Sequence, residues 1–196
     1  MKIEICLPDW AIEEKDALPE FIPDLDDRMR AVIRFSRLNF ERQTGGPFAA
    51  AVFERESGKI ISMGVNRVVP ENLSVAHAEV VALSLAQQHL QTFDLGGPGM
   101  PAHQLVVNGR PCAMCFGSIP WSGVRSVVIG ADGGDIERIT GFDEGPIHPD
   151  WQNELQSRGI EVVENVLSDE ACQVFEAYSK SGQPVYNSRS GDDPQT

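Results

Sequence analysis

The 196-residue sequence predicts an α/β protein, a three-layer α/β/α sandwich around a central mixed sheet. Three observations predict it. Two apolar runs, Phe48 to Phe53 and Ile60 to Val65, flank a polar turn containing Gly58 and read as an antiparallel hairpin. Beyond them, strand-length apolar runs alternate with segments of helical periodicity, which places later strands parallel and between helices. The composition, 41% apolar and 23% charged, is that of an ordinary globular domain with enough chain to bury a core.

Taken in order, residues 1–25 carry Pro8, Pro19 and Pro23 with no clear period and are expected to form an irregular extension wrapped on the domain. Asp26 and Asp27 are expected to cap a helix through Met29, Val32, Ile33, Phe35, Leu38 and Phe40. That helix should end near Thr44, because Gly45-Gly46-Pro47 stops it. The hairpin follows. A second helix should begin near His77 and carry Val80, Val81, Leu83 and Leu85. Gly96-Gly97-Pro98-Gly99 marks a surface loop. Gln104 to Val107 reads as a buried strand, and a third helix should start at Pro111-Cys112. Val124 to Ile129 and Gly159 to Val163 complete a set of five strands. A last helix should run from Ser168, as its cap, to about Lys180. The main domain is thus expected over 26–187, with a disordered tail over 188–196.

Net charge is −13, and no run of Lys and Arg offsets it. A nucleic-acid-binding surface needs basic groups to displace phosphate counterions, so a small uncharged or cationic substrate is expected instead. No secretory signal or membrane-length apolar run is visible, so the expected location is cytoplasmic. In that compartment the Cys112/Cys115 pair favours metal or redox chemistry over a disulfide. Cys6 reads as a terminal thiol and Cys172 as a buried helix residue. His103 and His148 lack ligand spacing and are expected on the surface.

The chemistry concentrates in His77-Ala78-Glu79 and Pro111-Cys112-Ala113-Met114-Cys115. Taken alone, a Cys-x-x-Cys can be a redox pair or half of a structural zinc knuckle. Together the motifs supply three zinc ligands, His77, Cys112 and Cys115, and three ligands leave one position open for water. Zinc lowers that water's pKa toward neutrality, so hydroxide becomes available as a nucleophile. Cys112 and Cys115, three apart, share one face of a helix. Pro111 suits a helix start, where free N–H groups favour thiolate. His77 and Glu79, two apart, do not face each other on a regular helix but converge if both lie at its start and the metal sits off its end. Glu79 is then free to move protons.

This pair of motifs resembles the cytidine and nucleobase deaminase superfamily, whose signature is His-x-Glu with Pro-Cys-x-x-Cys. Within it the chain resembles the bacterial guanine deaminase branch. Gly45-Gly46-Pro47-Phe48 matches that branch's segment before the first strand, Asn66 matches a base-contacting asparagine, and Gly141-Phe142-Asp143-Glu144 resembles its Gly-Phe-Asp-Asp segment. The resemblance implies a five-stranded sheet, a zinc cofactor and hydrolysis of guanine to xanthine and ammonia. It implies that Glu144 binds the guanine edge, with Asp143 the alternative; because the 2-amino group is also the leaving group, Glu144 is a candidate to help pass a proton to the departing ammonia. An acceptor-only carboxylate suits guanine's N1–H and amino donors. The resemblance further implies a homodimer in which the C-terminal segment covers a partner's site through an aromatic residue, Tyr186 or Tyr178. Phe48 and Trp121 are candidate walls for a flat base. Arg110 stands where the family carries an acidic residue, and the N-terminal extension and the 96–99 insertion lie outside its short form.

Competing functions are deamination of cytosine, cytidine, an aminotriazine or tRNA adenosine. A noncatalytic zinc interaction domain is disfavoured by Glu79, which a structural site does not need.

Overall fold

The computed structural model describes residues 2–187; the tail expected over 188–196 lies outside the described residues. The sheet has five strands, β1 (Ala49–Glu54), β2 (Ile60–Val65), β3 (His103–Gly109), β4 (Ser126–Ala131) and β5 (Glu161–Val163). Their order is β2-β1-β3-β4-β5. β1 is antiparallel to both β2 and β3, while β3, β4 and β5 are parallel, so the sheet is mixed as expected.

Period-two alternation divides the core. Ala49, Ala51, Phe53, Val106 and Val128 face one side of the sheet. Ala50, Val52, Leu105, Val107, Val127 and Ile129 face the other. On the first side lie α1 (Asp9–Ala17), α2 (Leu25–Glu41), α6 (Gly133–Thr140) and α8 (Ser168–Lys180), which contribute Trp10, Phe35, Ile136 and Phe175 to that core. On the second lie α4 (Ala78–Leu90), α5 (Ala113–Ser122) and α7 (Trp151–Gln156), which contribute Leu83, Ile119 and Leu155. A single turn, α3 (Val68–Glu71), follows the hairpin. Among the described residues no helix is long and apolar enough to cross a membrane.

Several local expectations need correction. The N-terminal extension contains a helix, α1, which buries Trp10 and Ala11; its acidic, weakly periodic sequence hid it. Arg28, itself buried, fastens the extension by donating to Ile22 O at 2.7 Å and Pro23 O at 3.1 Å. The cap of α2 is Asp24, whose carboxylate accepts from Asp27 N at 3.1 Å, so Asp26 and Asp27 fall in the first turn, where negative charge complements the helix dipole. Ser168 is the first residue of α8, not its cap; Leu167 precedes it in a left-handed conformation, and the Ser168 hydroxyl meets Cys172 one turn on. Cys172 is half-buried. The helix α6 escaped notice because Gly133-Gly134 reads as loop; Asp132 caps both positions 134 and 135.

His103 is fully buried, its Nδ1 at 2.7 Å from Leu95 O, because β3 is covered on both faces. His148 is exposed. Trp121 is 87% exposed on α5 and takes no part in the cavity described below.

Candidate active site and metal centre

Two helix starts converge beneath the end of the sheet. His77 precedes α4 in an extended conformation (φ −69°, ψ 153°), and Glu79 follows in the first turn. Because His77 is not yet helical, the two side chains meet despite their two-residue spacing. α4 is seated directly on β2, where a Cβ on Gly64 would strike the Ala78 carbonyl and the Ala82 amide. Cys112 likewise precedes α5 in extended backbone (φ −66°, ψ 172°), with Cys115 in its first turn. Both helix N-termini therefore direct partial positive charge at the thiols and the carboxylate.

The nitrogen and sulfur donors of His77, Cys112 and Cys115 all lie within 4.8 Å of one another. Cys112 Sγ is 3.5 Å from His77 Nδ1. Tetrahedral ligands at zinc distances of about 2.0 Å for N and 2.3 Å for S stand roughly 3.5 Å apart, so the donor set fits zinc in spacing and chemistry. The three residues are the zinc-binding triad of this chain.

Electrostatics bear on each group. A hydrogen bond from the Cys115 thiol, and then His77, push Cys112 down to about 4, while the same shared proton and burial hold Cys115 well above the ordinary thiol range. Burial opposes a charge on His77, yet the neighbouring Cys112 thiolate and Glu79 raise it overall. Glu79 is pushed up to about 7, first by burial and then by Cys112. Glu144 reaches about 8 for the same two reasons, with Arg110 pulling the other way.

A cavity of about 380 Å³ opens over the triad, within the range of pre-formed small-molecule sites. His77, Glu79 and Cys112 form its floor. Phe48, Asn66, Glu144 and Tyr186 also line it, with Asp143 at its solvent-exposed rim; Trp121, the other candidate wall, does not reach it. The two adjacent carboxylates differ: Glu144 is 5% exposed, whereas Asp143 is exposed to solvent. Glu144 O accepts from Ala113 N at 2.9 Å, which ties its loop to the cysteine helix. Asn66 is buried, and its side-chain oxygen lies 3.5 Å from Gly46 N and 3.3 Å from Val68 N. That leaves the amide N–H₂ as the group it offers the cavity. Tyr186 is held against Phe142 at 4.7 Å between ring centres, and its hydroxyl is buried with no partner among the described residues. Tyr178 instead packs beneath, donating to Pro184 O at 2.7 Å.

Sequence reasoning missed the supports. Asn39 donates to Gly46 O at 2.8 Å and Asn66 O at 2.9 Å. Asn108 accepts from Ala49 N at 2.9 Å and donates to Pro47 O at 3.0 Å. Both are fully buried and pin the Gly45–Phe48 segment from two sides. The available signal was a lone amide in each apolar run, between Leu38 and Phe40 and after Val106-Val107. Asn187 was also missed, and no signal in its polar surroundings marks it.

A solved guanine deaminase from Nitrosomonas europaea superposes with a TM-score of 0.87 at 46% identity, covering 91% of this chain and 97% of that one. A structure of NE0047 in complex with 2,6-diaminopurine gives 0.89 at 46% identity, over 96% and 98%, and NE0047 mutants are solved with 8-azaguanine. Guanine deaminase of Bacillus subtilis (strain 168) is 31% identical over 125 residues, 64% of this chain and 75% of its own length. The model of the cytidine and deoxycytidylate deaminase zinc-binding region matches residues 25–131. With the ligand triad, the five-stranded sheet and this match in agreement, the chain belongs to the cytidine and deoxycytidylate deaminase zinc-binding family.

Proposed function

We propose that this chain is a zinc-dependent aminohydrolase that converts guanine to xanthine and ammonia. One observation carries the choice of base: a buried carboxylate, Glu144, faces the same cavity as the zinc triad. Guanine's N1–H and 2-amino groups are adjacent donors, and a carboxylate is the side chain that accepts from both. The 46% identity to a guanine deaminase over nearly the whole chain supports the same base.

His77, Cys112 and Cys115 would hold the zinc, which when bound is a Lewis acid that makes water acidic enough to lose a proton near neutral pH. Glu79 is the proton carrier: its buried carboxylate sits beside the ligand triad on the cavity floor, placed both to take a proton from the attacking water and to return it. Water oxygen bonds to C2, the C2–N bond breaks, and ammonia leaves with the returned proton. Glu144 accepts from N1–H and the amino group at the reacting edge and relays that one returned proton to the departing nitrogen. Asn66 offers its amide N–H₂ to an acceptor on the base. Phe48 and Tyr186, both packed on Phe142, offer the base apolar ring surface, and Tyr186 Oη, without a partner among the described residues, supplies a hydrogen bond. Asp143, at the exposed rim, shapes the turn by accepting from Gly145 N at 2.8 Å.

A homodimer belongs to this proposal; the C-terminal segment, expected to cross to a partner, instead lies over the cavity of its own chain, where Tyr186 meets Phe142 and Asn187 holds Asp143. Met114 and Trp121, 37% and 87% exposed and a helical repeat apart on α5, support a subunit contact. Light scattering gives the mass directly, and a monomer at micromolar concentration rejects it. The activity is tested by ammonia release from guanine, guanosine, cytosine, cytidine, adenine and an aminotriazine with zinc-loaded protein. Guanine should lead; faster turnover of cytosine or adenine overturns the assignment of the base.

A further inference from the structure

We infer that Asn187 is a positioning residue that sets which carboxylate of the Asp143-Glu144 pair enters the cavity; this rests on the proposed function, in which Glu144 meets the base. Asn187 Oδ1 accepts from Asp143 N at 2.9 Å, and Asn187 Nδ2 donates to Gly141 O at 2.9 Å. One side-chain amide thus grips the main chain on both sides of Phe142, in the manner of a strand partner. Only an amide has a donor and an acceptor side by side to do so.

The grip matters because the loop it holds has a choice to make. In extended chain, neighbouring side chains point to opposite sides, so a slip of one residue would exchange Asp143 for Glu144. The downstream end is held by Ala113 N donating to Glu144 O at 2.9 Å. The upstream end is held by Asn187, and between them Phe142 is wedged among Phe48 at 5.3 Å, Tyr178 at 5.7 Å and Tyr186 at 4.7 Å. With both ends fixed, Glu144 is buried and Asp143 is exposed. Asn187 follows Tyr186 directly, so the residue that covers the cavity and the residue that sets its carboxylate belong to one strap.

The test is a double-mutant cycle on the zinc-loaded full chain. Calorimetric Kd for 8-azaguanine and KM and kcat for guanine are measured for wild type, Asn187→Ala, Asn187→Asp, Glu144→Gln and the Asn187→Ala/Glu144→Gln double variant. Asn187→Ala should raise Kd and KM about tenfold, the scale of two lost hydrogen bonds, with zinc content and melting temperature unchanged. Asn187→Asp, which cannot donate to Gly141 O, should not rescue. In the Glu144→Gln background the Asn187→Ala effect should shrink to within about twofold. An undiminished effect in that background, or wild-type Kd and KM in Asn187→Ala, overturns the inference. Wild-type protein that binds 8-azaguanine without releasing ammonia from guanine removes the proposed function, while the binding cycle still decides Asn187. Independently of any base, a crystal structure of Asn187→Ala should show Glu144 turned from the cavity, and an unchanged Glu144 overturns the inference.

Discussion

The hydroxyl of Tyr186 occupies the place a Cβ would take on Gly46. Gly46 is therefore bare because an aromatic ring from the far end of the chain needs the space. Tyr186 lines the cavity and Gly46 backs it from behind, although 140 positions separate them.

Replacing Gly46 with Ala should push Tyr186 out of its seat. The expected outcome is a KM for guanine raised about tenfold with smaller change in melting temperature, because the strap moves and the core does not. Steady-state kinetics alongside calorimetry checks this, and a wild-type KM contradicts it.

Tyr186→Phe removes a buried hydroxyl that has no partner among the described residues. Deleting an unsatisfied polar group costs the folded protein nothing, so stability should hold or rise slightly. Affinity for 8-azaguanine should fall roughly two- to tenfold, the scale of one hydrogen bond. Loss of stability without loss of affinity would assign Tyr186 to packing alone.

Glu79→Gln keeps the shape of the side chain and removes its basicity. Zinc should remain bound at one ion per chain, measured by atomic emission, while ammonia release drops by about 10²- to 10⁴-fold. Parallel loss of metal would place Glu79 among the ligands instead.

Burial raises Glu144 from 4.5 to about 8, with Cys112 and Glu79 adding to the shift. The folded state then holds a proton that the unfolded chain gives up. The stability this contributes is whole below 4.5 and is lost as pH rises toward about 8. In zinc-free protein, Glu144→Gln should thus lose less melting temperature than wild type across that window, and the two curves should meet at acid pH. Curves that run parallel throughout argue against a buried carboxylate.

Asn39→Ala strips the donor from Gly46 O and Asn66 O, two buried carbonyls. The expected cost is about 1–3 kcal/mol, a fall in melting temperature of roughly 2–4 °C per kcal/mol at this size. Thermal melts settle it; a change under about 1 °C would mean that water replaces the amide.

The zinc triad and Glu79 were legible along the chain because ligand chemistry confines them to short, fixed spacings near helix starts. The hairpin and the sandwich were legible because burial imposes periods of two and 3.6 on apolar residues. Asp24, not Asp26, capped α2, and α6 hid behind Gly133-Gly134, because a helix end is decided by one or two hydrogen bonds that composition does not display.

What the sequence determined by itself was therefore the layered α/β plan, the zinc triad and the carboxylate beside it, all features carried by local spacing. Only the tertiary structure decided that Glu144 is buried in the cavity while Asp143 stays at its exposed rim, that His103 is buried, that Trp121 lies away from the cavity, and that Asn39, Asn108 and Asn187 hold the site. Those outcomes depend on partners tens of residues away along the chain. A side chain's environment there is set by how the layers close on it, and no local pattern records that closure.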